Sequence, residues 1–234
     1  MWRGTKDLLI RQHDFYVSQV MERMLSGFQD MEGQAKKHAD EAFAALASGT
    51  GDGSEDLSAL ADQAYESGIN YYSLLDELRK DLLLGALAGC FHQWEKALRD
   101  FMERELQHGI SHDEASNFAW QPNIDNVFEM LEQFGWKCRS TAYYSKIDAC
   151  RVIVNVHKHG KGTSLNRLLE NYPEYIRSPF GNRPPPIPLP LLLDYDWLEI
   201  SDEQFLDLVT SLRRFWVDFP ENLFATAIQL KKRK

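Results

Sequence analysis

The stretch Arg151-Val-Ile-Val-Asn-Val-His-Lys-His-Gly160 decides the fold. Val152, Ile153, Val154 and Val156 are β-branched and carry strand propensity. The surrounding sequence overrides that preference. From Thr141 to His159 the context is helical, Gly160 supplies a stop, and no neighbouring segment alternates apolar and polar residues as a partner strand would. The segment is expected to be a helix, and the chain all-α.

Outward from this helix the same periodicity continues. On the N-terminal side, Leu8 to about Ala47 reads as one long amphipathic helix, with Phe15, Val20, Met24, Phe28, Met31 and Ala35 at helical spacing. Ser48-Gly-Thr-Gly-Asp-Gly-Ser54 is a solvated connection without an apolar residue. A second helix is expected over Glu55–Ser67 and a third from Tyr71 to about Gln107. Gly85 and Gly89 there mark a close helix approach or a bend. Asn123–Phe134 reads as a short helix ended by Gly135, and Ser164–Glu170 as another, stopped before Pro173. The tract 179–190 holds six prolines and one glycine, so it is expected to be an extended strap or a ligand for a proline-recognition domain. Ser201-Asp-Glu-Gln204 opens a last helix. The architecture expected is a single helical-bundle domain over 1–234, with a long N-terminal helix and a proline-rich strap leading to a C-terminal helix.

Composition bounds the function. No apolar run is long enough for a transmembrane span, and the first residues lack a signal-peptide core, so a cytoplasmic protein with no membrane partner is expected. Cys90, Cys138 and Cys150 are widely spaced and form no CxxC pair, which fits buried, reduced cysteines rather than a metal centre. The net charge is −9. Residues 1–136 carry 11 Lys/Arg against 24 Asp/Glu, whereas residues 137–177 carry 8 against 3. An acidic surface disfavours indiscriminate duplex binding, but the local basic island leaves room for a targeted RNA or phosphate contact.

The candidate site lies in that island. Arg151, Asn155 and His159, four apart, share one side of the expected helix. His157 points elsewhere, and Lys158 lies between. Gly160 and Gly162 end the helix beside Lys161. These residue types suit metal-independent phosphodiester cleavage. A neutral histidine takes the 2′-hydroxyl proton, a second donates to the leaving oxygen, and Arg or Lys stabilises charge on phosphorus. Asn155, Lys158 and Lys161 would position the phosphate. The structural alternative is simpler: Asn155 binds a loop carbonyl, and His159-Gly160 is an ordinary helix end. His157 and His159 at i, i+2 diverge and lack a carboxylate pair, so no metal or other cofactor is expected.

An arginine followed four to six residues later by a histidine near a helix end resembles the signature of the HEPN superfamily, carried here by Arg151 and His157 over about residues 70–170. Val152 stands where that family usually has a polar residue. Asn155-Val-His-Lys-His159-Gly160 resembles HEPN-like proteins in which the histidine nearer the helix end matters, making His159 the alternative catalytic position. The resemblance implies an all-α, often dimeric protein. It further implies a metal-independent endoribonuclease of toxin–antitoxin or antiphage defence systems, with an RNA substrate and an antitoxin or other protein partner. The alternative is a non-catalytic helical module for protein binding or dimerisation. Elsewhere, His108, His112 and Asp113 read as a solvated turn. Trp94, Trp120, Trp136 and Trp197 read as core or interface residues rather than base-stacking platforms.

Overall fold

The computed structural model describes residues 1, 3–49, 57–120, 123–177 and 194–223. Among these the secondary structure is helical throughout, apart from one isolated antiparallel bridge between Ile176 and Leu198. The helices are α1 (Arg3–Gln19), α2 (Met31–Gly49), α3 (Leu57–Leu106), α4 (His112–Ala119), α5 (Asp125–Gln133), α6 (Tyr144–His159), α7 (Thr163–Asn171) and α8 (Asp202–Asp218). The all-α expectation holds. The proline tract 179–190, and with it the expected strap, lies outside the described residues, as does most of the 48–54 connection. No described helix is long and apolar enough to cross a membrane.

The chain divides into two compact units, one of Met1–Ser18 with Leu84–Lys234 and one of Gln19–Leu83. In the first, Trp94 and Phe101 of α3, Phe128 of α5, and Phe215 and Trp216 of α8 with Phe219 beyond it form one buried aromatic cluster. Trp94 meets Phe215 edge-on at 4.9 Å, and Phe101 meets Phe219 at 5.0 Å. Such edge-to-face pairs add to the free energy of burying the rings themselves. Helix α1 is fastened to this core by polar contacts. The Tyr16 hydroxyl donates to the Ala86 carbonyl at 3.0 Å, and Arg213 grips Asp14 through two bonds of 2.7 and 3.0 Å. Tyr16 lies against Gly89, which is the close approach that was one of the two readings expected for Gly85 and Gly89, whereas a Cβ at Gly85 would meet nothing within 4 Å.

The second unit pairs α2 with the first part of α3. The expected long N-terminal helix is helical nearly throughout, but it passes through a π turn at Val20–Leu25 and a 3-10 turn at Ser26–Phe28 before α2 restarts. The Asp30 carboxylate accepts from the Gly33 amide at 3.0 Å, capping the new start. The expected break between the second and third helices is absent, and α3 runs unbroken for 50 residues. Gly68-Ile-Asn70 reads locally as a breaker, yet Gly68 is buried where a Cβ would stand 2.9 Å from the Ala39 Cβ and 3.1 Å from the Ala35 carbonyl. It serves contact with α2 rather than a turn. His38 completes the pairing, stacking on Tyr71 at 4.4 Å and meeting the Ser67 hydroxyl at 3.2 Å.

Helix α4 was not expected. His108–Asp113 read as a turn, but the Ser111 hydroxyl accepts from the Glu114 amide and starts a helix of eight residues.

Candidate functional site

Helix α6 is buried along most of its length and packs on α7 and α8. Its β-branched residues fill the core that their helical spacing predicts. Gly160 stops it with φ +66°, a conformation that favours glycine, and the Tyr195 ring leaves little space for a side chain there.

The polar centre of this helix is Asp148. Its buried carboxylate accepts from Arg151 at 2.7 Å, from Arg167 at 2.5 Å and from the Tyr172 hydroxyl at 2.6 Å. The other arm of Arg151 reaches Asp125 of α5 at 2.8 Å. Two guanidiniums and two carboxylates thus close a neutral network that ties α5, α6 and α7 together. A buried charge is tolerated only when paired and hydrogen-bonded in this way. Burial works against the charge on Arg151, but Asp125 and Asp148 outweigh it and hold the guanidinium above its ordinary pKa. Burial and the bond to Asp148 raise the Tyr172 hydroxyl as well, so Tyr172 stays a donor. The sequence offered one sign of this, the i, i+3 spacing of Asp148 and Arg151. Asp125, Arg167 and Tyr172 come from other elements, and nothing local to them marked the convergence.

The residues expected to share a site with Arg151 are placed differently from it. His157, Lys158 and His159 are exposed on the last turn of α6, and their side chains make no hydrogen bond or ion pair with a described residue. There the charge of Lys158 complements the helix dipole. Asn155 is half-buried. Lys161 is paired with Asp194 at 2.6 Å.

The basic island dissolves in the fold. Arg139 lies 3.6 Å from Glu132, Lys146 3.1 Å from Asp207 and Arg177 3.6 Å from Glu199, while Arg151, Arg167 and Lys161 have the carboxylates already named. Six of the eight cations of the segment are thus paired with carboxylates, most of them on other elements, and among the described residues only Lys137 and Lys158 keep no ion-pair partner.

Comparison of the chain with family models, curated proteins and solved structures gives no match. The HEPN resemblance therefore rests on its own residues. The ribonuclease, toxin–antitoxin, antiviral-defence and RNA-binding attributions drawn from it are corrected. Among the described residues no catalytic centre is identified, and no group of three or more His, Cys, Asp or Glu is arranged to hold a metal ion. The arginine intended for phosphate is engaged by two carboxylates.

A second feature lies in the unit from Gln19 to Leu83. Between α2 and the first part of α3 runs an open groove of about 630 Å³. Ala35, Ala39, Ala61, Ala64 and Gly68 supply its small residues, and Phe43, Tyr65, Ile69 and Tyr72 its large ones. Tyr65 is 68% exposed and Ile69 48%. Glu32, Lys36 and Asp40 complete the lining. The sequence signal was present in Tyr65, Ile69 and Tyr72 at i, i+4 and i+7, but the expected break after Ser67 divided that stripe.

Proposed function

We propose that this protein is a helical binding module that holds a protein partner in the groove between α2 and α3. The observation that supports this is the groove itself: a continuous apolar surface, with aromatic residues left exposed on a regular and unbroken pair of helices. Two paired helices bury only the faces they turn to each other, and a further helix is the usual cover for the stripe left open. Exposed apolar patches of this kind mark interaction surfaces. On this reading the Asp125–Asp148–Arg151–Arg167 network is architectural, and the exposed histidines of α6 end a helix.

The test is a photoreactive residue at position 65 of the full chain, Tyr65→benzoylphenylalanine, expressed in the native cell. A discrete protein adduct is expected, lost when Ile69→Lys is added and absent when the photoreactive group replaces exposed Glu170. If position 65 gives no adduct above that of position 170, the module is overturned.

A further inference from the structure

Charge around the groove says what kind of chain fits it. The unit from Gln19 to Leu83 carries 5 Lys/Arg against 13 Asp/Glu, a net of −8 in a protein whose total is −9. Glu32 and Asp40 line the groove, and exposed Asp62 and Glu66 follow Ala61 and Tyr65 around α3. None of these four carboxylates forms an ion pair with a described residue, in contrast to the neutralised cations around α6. The lining runs from Glu32 to Phe43 on α2 and from Ala61 to Tyr72 on α3. At about 1.5 Å per residue each side is roughly 16 Å long, the length of three helical turns.

We propose that the groove takes a single amphipathic helix of about three turns, with an apolar stripe flanked by Lys and Arg. The proposal rests on the binding-module reading and names its partner class. The small floor admits a helix closely, and the large residues fit between side chains at i, i+3, i+4 and i+7 of the incoming stripe. Basic flanks meet Glu32, Asp40, Asp62 and Glu66, while Lys36 accommodates one carboxylate. A second copy of this chain fits poorly by the same argument, because pairing two grooves would bring two surfaces of like charge together.

The experiment uses the full chain and three fluorescent peptides of 14 residues. The first has a Leu/Ile stripe with Lys/Arg flanks, the second the same stripe with Asp/Glu flanks, and the third basic flanks with Ser/Gln in the stripe. In fluorescence polarisation at low salt, the first is expected to bind at least tenfold more tightly than either other peptide, with the margin shrinking as salt is raised. Ile69→Lys is expected to abolish the binding and Asp62→Lys to weaken it severalfold, each with an unchanged circular dichroism spectrum. Both positions are exposed, and Tyr65→Ser provides a second variant of the groove should either misfold. Equal binding of the acidic-flanked peptide, or of the stripe-free peptide, overturns the proposal. So does a dimer in sedimentation velocity that Ile69→Lys dissociates, since the groove would then hold a second copy. Failure here with an Ile69-dependent adduct at position 65 rejects the basic helix and keeps the module. Failure of both rejects the two together.

Discussion

Arg151 of α6 and Asp125 of α5 are joined by a 2.8 Å ion pair, while the other arm of the same guanidinium holds buried Asp148 at 2.7 Å. One side chain therefore connects two helices and balances a carboxylate that the core could not hold alone. An arginine used in this way is not available to a phosphate, and its surroundings explain its place on α6 without a substrate.

Removing Asp148 tests the network. Asp148→Ala leaves Arg151 without one of its two carboxylates in a site where its side chain is only 16% exposed. Breaking a buried pair from one side typically costs about 3–5 kcal/mol, and urea denaturation is expected to show a loss in that range. Arg167→Ala removes a half-exposed partner, 44% accessible, and is expected to cost about 1 kcal/mol or less. Equal losses in the two variants would show that Asp148 is not the centre of the network.

His13 gives the protein an acid-sensitive contact. Burial lowers its pKa, with Arg213 acting in the same direction and Asp14 and a backbone bond to Val209 opposing. The ring Nδ1 lies 3.6 Å from the Cys90 sulfur. Because the folded pKa lies below the unfolded one, the unfolded chain binds more protons as pH falls through about 6.5. This contribution to stability is thus full above that pH and is lost on acidification. His13→Leu is expected to flatten the decline in urea midpoint between pH 7 and 5, and a decline of unchanged slope would place its origin elsewhere.

The helices could be read from the sequence because burial and capping are local signals. The capping box at Ser201–Gln204 and the positive φ at Gly135 and Gly160 stand where Ser and Gly led one to expect them. What failed were positions where a residue's role depends on a distant partner. Gly68 read as a breaker because nothing near it in sequence shows Ala39 across the gap. The cations from Lys137 to Arg177 read as an exposed island because, Asp148 apart, the acids that pair with six of them, Asp125, Asp194, Glu199 and Asp207 among them, lie in other segments or elements. For the same reason Arg151 and His157 matched a spacing while their side chains met different environments.

Gly68 allows the correction to α3 to be measured. Alanine is the better helix former by roughly 1 kcal/mol, so in an ordinary helix interior Gly68→Ala would stabilise. Here the added Cβ would stand 2.9 Å from the Ala39 Cβ and 3.1 Å from a backbone carbonyl, which forces the helices apart. Overpacking of that kind costs about 1–3 kcal/mol, and the net expectation is a loss of about 1 kcal/mol in thermal or urea unfolding. Gly85→Ala is the control, since its Cβ meets nothing within 4 Å, and it is expected to stabilise. A gain in both variants would mean that α2 does not press on α3 at Gly68.

The three cysteines provide a chemical measure of how well the first unit is closed. All are buried and free, and burial pushes the thiols of Cys90 and Cys138 up to about 12. Cys150 is raised as well by its complete burial. The thiolate is the reacting form, and at pH 8 a pKa of about 12 leaves roughly one thiol in 10,000 ionised, against about one in ten at a pKa near 9. Iodoacetamide at pH 8 is therefore expected to leave all three unmodified in the native protein over an hour and to alkylate all three in urea, as read by intact mass. Because steric closure and the raised pKa both protect, raising the pH to 9.5 separates them. Reaction that rises only in proportion to thiolate shows an accessible thiol held neutral, whereas continued silence shows a core that does not open on that timescale. Rapid modification at pH 8 would contradict the burial of the three thiols.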